Sequence, residues 1–364
     1  MIAGHDATNE SCAAAHSSDD SVERYLARRR RHLALLIAVA MLALASFIGD
    51  IATGPSNYPL GDIVGALLNP GDSSALLGVV VWEIRLPVAT MALLVGASLA
   101  LAGAEMQTIL DNPLADPFTL GVSSAASFGA ALAIVLGLGV IPVAGGLLVT
   151  GNAFVLAMVA SLAIWGVSRL RGVSVQSMVL MGIAIMFFFN ALLGLMQYLA
   201  SPQALQQLMF WSLGSLAKAS WSKVGLIALT LAICIPVFVR ANWRLTALRL
   251  GDIHARALGV NVGRLRLTVL VCCSLLAATA VAFVGTIGFV GLVGPHIARL
   301  LVGEDQRLFL PMAGLCGALI MSLTSIVSKT LIPGILFPVG IITALIGLPF
   351  FVSLILRSRR EVWG

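Results

Sequence analysis

The feature that most constrains this 364-residue chain is a series of long stretches without a charged side chain. The stretches are 32–49, 86–104, 117–168, 172–217, 224–239, 267–298, 308–328 and 330–356. Only 10% of the residues are charged, against about 25% in soluble domains, so polar side chains are too few to cover a soluble globule. Disorder is excluded by the apolar content, and the strands of an outer-membrane barrel would alternate apolar and polar residues. The pattern therefore predicts an all-α membrane protein, because helices satisfy their backbone polar groups internally.

The lengths of the stretches give the number of helices, since a membrane-spanning helix needs about 20 apolar residues. The stretch 117–168 can hold two helices, with a turn at Gly145-Gly146. The stretch 172–217 predicts one span at about 176–199, followed by a short surface helix. The stretch 267–298 predicts one full span, and Gly291–Val302 is expected to be a short eighth element. Nine or ten spans follow.

Basic residues decide between nine and ten. Five arginines precede the first span, three follow the last, and the positive-inside rule places such clusters in the cytoplasm. With both termini cytoplasmic the number of spans is even, so ten transmembrane helices are predicted. Of the 22 basic residues, only four then lie outside: Arg85, Lys218, Lys223 and Lys329. The net charge of +6 is thus interpreted as inward topology and docking, with no nucleic-acid partner.

The chain is predicted to be a single transmembrane domain, 23–364, preceded by a disordered cytoplasmic tail, 1–22. A disordered tail is preferred over a metal site made of His5, Cys12 and His16. Ala43-Leu44-Ala45 resembles a signal-peptidase site, but an uncleaved first helix is favoured. The remaining cysteines lie in apolar stretches without metal-ligand spacing, which is typical of packing residues.

The sequence contains no catalytic motif. It has no G-x-x-x-x-G-K-[ST] loop, so the chain is predicted to have no ATPase site of its own. It also has no H-E-x-x-H zinc motif and no G-x-S-x-G nucleophile elbow. We expect neither an enzyme nor a bound cofactor or metal.

Glu105 is the only ionisable residue inside a predicted span, near its inner end. A buried ionisable residue in a membrane indicates function by default. The alternative is that Glu105 lies close enough to the cytoplasmic face to be solvated or paired. The preceding segment Leu94–Ala104 has small residues at four-residue spacing, such as Gly96 and Ala100, which allow close helix packing.

Three further segments break the apolar pattern. Residues 111–124 contain two prolines and several turn-forming polar residues, which fit either a simple connector or a gate. Glycines at 285, 288, 291 and 294 do not form one helix face, which predicts a broken or bent segment. The following His296 is interpreted as a capping or packing histidine rather than a metal ligand.

The segment 241–265 is the longest inner connection and is rich in arginine. Asp252 is expected to N-cap a short helix that Gly259 ends. This helix would lie beneath the membrane or against a partner. The alternative is an ordinary positively charged inner loop.

Together these segments resemble the FecCD family, the iron-siderophore, haem and cobalamin permeases of bacterial ABC importers. The resemblance extends over about residues 33–357. Its motifs occur in order: Arg85-Leu86-Pro87; Gly96–Gly103 followed by Gln107; Asn112-Pro113-Leu114-Ala115 with Leu120-Gly121-Val122-Ser123; Trp211 with Gly214-Ser215-Leu216; Leu250-Gly251 with Ala255-Arg256 and Leu258-Gly259-Val260; Gly288-Phe289-Val290-Gly291-Leu292 with Pro295-His296 and Arg299; Pro311; Gly340 with Thr343; and Gly347-Leu348-Pro349-Phe350.

The resemblance implies a type II ABC importer permease in the inner membrane, surrounded by lipid. It further implies a dimer with a second copy or a close homologue. Two cytoplasmic ABC ATPase subunits, which bind ATP and Mg, would dock beneath the dimer. A periplasmic or lipoprotein substrate-binding protein would dock outside.

The resemblance also implies roles for individual residues. Coupling to the ATPase would fall to Leu250, Gly251, Asp252, Ala255, Arg256, Leu258 and Gly259. Arg85 and Lys329 occupy positions where the family places basic residues that meet acidic residues of the binding protein. The translocation pathway or gate would include Glu105, Gln107, Asn112, Pro113, Met186, Asn190 and Gln197.

This chain departs from the family pattern at four positions. Val88 and Asp111 stand where arginines are frequent, and Ser325 stands where an acidic residue is frequent. Glu105 stands where the family is usually apolar. The docking patch is therefore expected to be less basic than usual, and the region of Glu105 is expected to differ.

The predicted substrate is a ferric siderophore, with haem or cobalamin as the alternative. The span 176–199 mixes methionine, aromatic and amide side chains that suit a bulky ligand, although core packing explains most of them equally well. Asp116–Gly121 looks more like siderophore permeases than haem permeases. From another class, a secondary transporter driven by an ion gradient has Glu105 as its only support.

Overall fold

In the computed structural model, the described residues are 6–54, 56, 58–68, 75–140, 147–168, 175–332 and 334–362. They form fourteen α-helices and, apart from one isolated bridge between Ile332 and Ile335, no β-structure. The helices are α1 (Asp6–Ala52), α2 (Leu60–Leu68), α3 (Ala75–Val79), α4 (Leu86–Ile109), α5 (Val122–Leu136), α6 (Leu147–Ser168), α7 (Val175–Leu199), α8 (Pro202–Ser212), α9 (Trp221–Leu248), α10 (Asp252–Ala257), α11 (Val262–Val284), α12 (Val290–Val302), α13 (Gln306–Thr330) and α14 (Val339–Val362). A π-helical stretch, Val80–Arg85, joins α3 to α4.

Seven helical segments in the described part of the chain are long and apolar enough to cross a membrane. They are Leu26–Ala52, Leu76–Ile109, Leu147–Val167, Ser177–Leu199, Trp221–Leu248, Val262–Val284 and Gln306–Thr330. Three shorter apolar helices accompany them: Val122–Leu136, Val290–Val302 and Val339–Val352. The prediction of an all-helical membrane protein is therefore confirmed.

The helix boundaries follow the charge-free stretches in most places. Helices α5 and α6 divide the stretch 117–168, although the predicted turn at Gly145-Gly146 lies outside the described residues. Helix α7 lies where a span at about 176–199 is predicted. The short helix expected after it is α8, which Ser201 caps by accepting a hydrogen bond from the Ala204 amide at 3.3 Å. Proline at its first position costs no hydrogen bond.

Two segments differ from the predictions. Helix α1 extends back to Asp6 through residues that we predicted as a disordered tail, and this stretch contains three consecutive alanines, which favour helix. The inner connection is shorter than 241–265, because α9 continues to Leu248 and α11 begins at Val262. Only the middle of that predicted loop lies outside the two long helices.

The predicted break among the glycines is present between α11 and α12. Gly285 and Phe289 both have positive φ, +77° and +70°, which ends one helix and re-aims the next. A Cβ on Gly285 would lie 2.2 Å from the carbonyl oxygen of Trp211, so this turn also packs directly on α8. Helix α12, Val290–Val302, matches the short element that the sequence predicts.

Helix α4 lies at the centre of the bundle, packed against α9, α11, α12 and α13. Small residues in α4 allow the neighbouring helices to approach this closely. A Cβ on Gly96 would lie 2.2 Å from the Gly317 carbonyl oxygen of α13, and one on Gly103 would lie 1.9 Å from the Gly291 carbonyl oxygen of α12. The three helices therefore touch through their backbones, as small residues permit in membranes.

Candidate functional site: the coupling helix and its supports

Helix α10 is the short helix that the sequence predicts in the inner connection. Gly251 precedes it with φ +96°, and Gly259 follows it with φ +81°. The amides of Gly259 and Val260 donate to the carbonyls of Arg256 and Ala255 at 2.9 and 3.0 Å, which closes the carboxyl end. Positive φ at both ends favours glycine, because other side chains are strained there.

The predicted capping role of Asp252 is wrong. Asp252 is the first residue of α10, and its carboxylate forms a bidentate pair with Arg266 of α11 instead. The two N–H···O distances are 2.9 and 2.8 Å. Gly251 occupies the capping position without a side-chain bond, so the carboxylate is free to bridge to another helix.

Arg266 extends this link to α4. Its Nε donates to the carbonyl oxygen of Ile109, the last residue of α4, at 2.9 Å. One guanidinium therefore binds α10, α11 and the end of α4 together. From the sequence, Arg266 counts only as one of the inner basic residues, since nothing in the local pattern identifies its partners.

The outward side of α10 is apolar with a basic edge. Ile253 is 82% exposed, Leu250 63% and Leu258 51%, while Ala255 is fully buried against the bundle. The Arg256 side chain is 70% exposed and lies 3.8 Å from Asp252. Exposed apolar side chains rimmed by charge are typical of a contact with another protein. We call Leu250, Ile253, Arg256 and Leu258 the coupling patch.

A cavity of about 510 Å³ lies beside α10, and Asn112, Asp252 and Arg266 are among its lining residues. The Asn112 side chain accepts from the Leu114 amide at 2.9 Å, which fixes the turn at the end of α4. Pro113 borders a small cleft with His296 and Phe350. His296 packs edge-on against Phe350, with 5.8 Å between ring centroids, in agreement with a packing histidine. The described residues contain no group of three or more metal-ligating side chains.

The two polar residues predicted on α4 lie in different environments. Gln107 donates to the Gly291 carbonyl at 3.3 Å and accepts from Arg299 at 3.2 Å, so it links α4 to α12. Glu105 is fully buried, and neither of its carboxylate oxygens has a hydrogen-bond partner among the described residues. Among the described residues Glu105 is therefore neither exposed to solvent nor hydrogen-bonded.

The two basic residues predicted to dock the binding protein both have internal partners. Arg85 is only 4% exposed and donates to the carbonyls of Ile51, Ala52 and Ser56 at 3.1, 3.0 and 2.6 Å. It therefore caps the carboxyl end of α1, where a cation is favoured. In this conformation Arg85 is not the free surface charge that we expected.

Lys329 is paired in a similar way. Its ammonium lies 2.7 Å from Asp50 of α1, and the side chains of both residues are buried. Ser325, which replaces the frequent acidic residue, donates to the same carboxylate at 2.9 Å. Arg85 and Lys329 line one cavity of about 110 Å³, so the structure does bring the predicted pair together.

The predicted pathway residues on α7 are separate from those on α4. Asn190 and Gln197 are exposed, while Met186 is half-buried and packs against Gly121. The cavity beside Asn112 is lined by Val179 and Leu180 of α7 but by none of these three residues. A second cavity of about 510 Å³ follows the break between α11 and α12 and is lined by Phe118, Thr286, Phe289 and residues of α14. No local sequence pattern predicts this cavity, because its lining comes from four separate parts of the chain.

The connection between α4 and α5 contains a buried carboxylate. Asp116 is 2% exposed, and its Oδ1 accepts from the Thr119 amide at 2.7 Å. The Asp116 amide donates to the Thr119 hydroxyl at 3.0 Å. Burial raises the pKa of Asp116 from 3.8 to about 6, and the hydrogen bonds to Thr119 and Phe118 oppose that rise. The reciprocal bonds indicate a built turn rather than a loose connector.

The chain is similar to known transport proteins. The model of the FecCD transport family matches residues 36–357. The hemin transport system permease protein HmuU of Yersinia pestis is 39% identical over 287 residues, which cover 78% of this chain and 85% of that protein. The vitamin B12 import system permease protein BtuC of Salmonella typhi is 33% identical over 334 residues, or 92% of this chain and 98% of that protein.

Two further relatives concern iron and metal chelates. The "Probable iron chelatin transport system permease protein" of Helicobacter pylori is 42% identical over 78% of this chain and 84% of its own length. A solved structure described as an inward-facing metal-chelate type ABC transporter has a TM-score of 0.77 and 31% identity, covering 89% of this chain and 99% of that one. The chain therefore belongs to the FecCD transport family and is a multi-pass inner-membrane permease subunit of an ABC importer, in which a separate subunit hydrolyses ATP.

Proposed function

We propose that this permease carries a ferric siderophore inward as a dimer, with a second copy of the chain or a close homologue. Two ABC ATPase subunits bind beneath the dimer, and a substrate-binding protein binds outside. The observation that carries the proposal is the coupling patch on α10, which is exposed for a partner yet tied to α4 and α11 through Asp252 and Arg266. A displacement of the coupling patch is therefore transmitted to α4, at the centre of the bundle.

The proposed topology is ten membrane-crossing helices with both termini in the cytoplasm. Seven long and three short apolar helices in the described residues support the number ten. The arginine-rich end that carries α10 is then the cytoplasmic end, as the positive-inside rule requires.

We propose that the translocation pathway or the subunit interface runs along the exposed face of α7. Asn190 and Gln197 lie seven residues apart, so they share one helix face. An amide facing lipid hydrocarbon without a partner costs several kcal/mol. Their exposure therefore supports a face that water, substrate or the second subunit covers.

The outer surface near Arg85 and Lys329 stays our proposed contact for the substrate-binding protein, with one change. Because both cations have internal partners, an acidic residue of the binding protein has to compete with Asp50 and with the carbonyls at the end of α1. Docking at these residues then requires a local rearrangement at that end.

The substrate assignment rests on the relatives and on the side chains available. One relative is named for iron chelatin, one for hemin and one for vitamin B12. We favour the siderophore because the Asp116–Gly121 segment resembles siderophore permeases. Haem and cobalamin are the alternatives that the test must separate.

The test is uptake into proteoliposomes that contain the permease and its cognate ATPase, with the cognate binding protein outside. Labelled ferric siderophores, haem and cobalamin are offered with internal ATP, or with a proton gradient and no ATP. We expect ATP-dependent uptake of a ferric siderophore only. Uptake of haem or cobalamin alone would contradict the siderophore, and uptake driven by the gradient would contradict ATP-driven import.

A further inference from the structure

Two arginines share one carboxylate at the cytoplasmic end of the bundle. Arg249 Nη2 lies 2.7 Å from Glu304 Oε1, and Arg249 Nη1 donates to the Glu304 carbonyl at 2.8 Å. Arg299 Nε lies 3.2 Å from the same Oε1 but lacks hydrogen-bond geometry. Both guanidinium groups also lie over the ring of Phe309, 5.9 and 5.4 Å from its centroid. Glu304 is therefore shared, and its side chain is 59% exposed.

A second carboxylate, that of Glu105, is not hydrogen-bonded to either arginine. Glu105 lies four residues before the end of α4, is fully buried, and has no hydrogen-bond partner on either oxygen among the described residues. Its neighbour Ala104 belongs to the same buried cluster as Phe309, the ring over which Arg249 lies. Arg299 is already attached to α4 at Gln107. Two cations and two carboxylates thus lie at one end of the bundle. Both cations lie against Glu304, and neither is hydrogen-bonded to Glu105.

Such an arrangement favours a second pairing. A buried carboxylate without a partner is costly, and it is satisfied best by a cation that can reach it. If Arg249 moved to Glu105, Arg299 would keep Glu304, and each charge would have one partner. The exchange leaves the Arg299–Gln107 link between α12 and α4 in place.

The position of Arg249 provides the means for this exchange. It caps α9 directly after Leu248, and only Leu250 and Gly251 separate it from α10. Arg266 holds α10 to the end of α4, whereas Arg249 lies at the end of α9, so displacement of α10 together with α4 by the ATPase subunits changes the position of Glu105 relative to Arg249. We propose that Arg249 exchanges Glu304 for Glu105 during the transport cycle, and that Glu105 is a positioning residue for the displaced state of α10. The inference rests on the proposed coupling role of α10.

A zero-length crosslink tests this exchange directly. The only lysines of the chain are Lys218, Lys223 and Lys329, and they lie at the opposite end of α9 and α13 from Arg249. In an Arg249→Lys variant, a carbodiimide joins the new amine to whichever carboxylate it touches, and peptide mass spectrometry identifies that carboxylate. The permease–ATPase complex is treated without nucleotide and after trapping with ATP and vanadate.

We expect the amide at Glu304 without nucleotide and at Glu105 in the trapped complex, with at least a several-fold change in the ratio. An amide at the same carboxylate in both states, or at neither, overturns the proposal. Because the experiment needs no substrate, its failure is distinct from failure of siderophore uptake.

Activity measurements give a second test if Arg249→Lys does not assemble. Glu105→Gln removes the second partner, so it should lower the ATPase activity of the complex and the uptake per ATP. Glu304→Gln weakens the first partner, so it should raise ATPase activity in the absence of substrate. In an Arg249→Met background, Glu105→Gln should have no further effect. Changes of the same sign in both single variants, or an additive effect in that background, would show a merely structural role.

Discussion

The contact between Gly103 and Gly291 allows the packing of α4 on α12 to be tested with a single methyl group. In Gly103→Ala, the new Cβ would lie 1.9 Å from the Gly291 carbonyl oxygen, whereas ordinary contacts begin at 3.4 Å. Because the Gly291 oxygen is a backbone atom, it cannot move away by a side-chain rotation. The two helices must therefore separate by about 1.5 Å. The hydrogen bond from Gln107 to the same oxygen, already 3.3 Å long, is then lost.

The expected cost follows from these two effects. Overpacking costs about 1–3 kcal/mol, and the lost hydrogen bond adds about 1 kcal/mol. Replacing a helical glycine by alanine stabilises the helix by up to about 1 kcal/mol, which offsets part of this cost. We therefore expect Gly103→Ala to destabilise the protein by about 1–3 kcal/mol and to lower transport in proportion to the loss of the α4–α12 contact.

The assay is thermal unfolding of the detergent-purified permease, together with the fraction that elutes as one species. Gly225→Ala in α9 is the matched control, because a Cβ there meets nothing within 4 Å. The control should be as stable as the unaltered protein or slightly more stable. Equal stability of the two variants would refute backbone contact between α4 and α12.

Three other predictions concern the coupling patch, the buried turn and the outer ion pair. Ile253→Asp and Arg256→Glu should leave the permease folded but abolish substrate-stimulated ATPase activity, because the coupling patch then repels its partner; unchanged uptake would remove α10 from coupling. Asp116 has a raised pKa in the fold, so its contribution to stability is full below about pH 4 and is lost as the pH rises through about 6. Asp116→Asn should abolish a decline of about 2 kcal/mol between pH 4 and 7, measured by unfolding temperature; an identical pH profile in both proteins would contradict this. Lys329→Met leaves Asp50 buried without its cation and should cost about 3–5 kcal/mol, and adding Asp50→Asn should recover most of that loss in the same assay; no recovery would exclude the ion pair as the cause.

Helix positions were predictable from the sequence because they depend on local properties. An interruption in apolar character marks the ends of α7, and serine followed by proline marks the start of α8 at Pro202. The predicted short element near Gly291 is α12 for the same reason. The predicted connection 241–265 was too long, because charged residues near a helix end mark where lipid stops rather than where hydrogen bonding stops.

The partners of the site residues were less predictable, since they depend on residues distant in sequence. Arg85 binds carbonyls of α1 more than 30 residues earlier, and Lys329 pairs with Asp50, 279 residues away. Asp252 fits the pattern of a capping residue, but Arg266 offers two charged hydrogen bonds, which are stronger than a single cap. The sequence identified which residues carry charge, and the folded chain determines which charges remain free.

The contacts of Gly96 and Gly103 also have a mechanical consequence. Helices normally shift past one another over a layer of side chains, and α4, α12 and α13 have no such layer where their backbones touch. These three helices therefore form one stiff block. Arg266 attaches α10 to the end of that block at Ile109, so a force on α10 turns the block as a lever rather than bending a single helix. On our proposal that α7 lines the translocation pathway, opening and closing of that pathway requires α7, with its exposed amides, to move relative to this block.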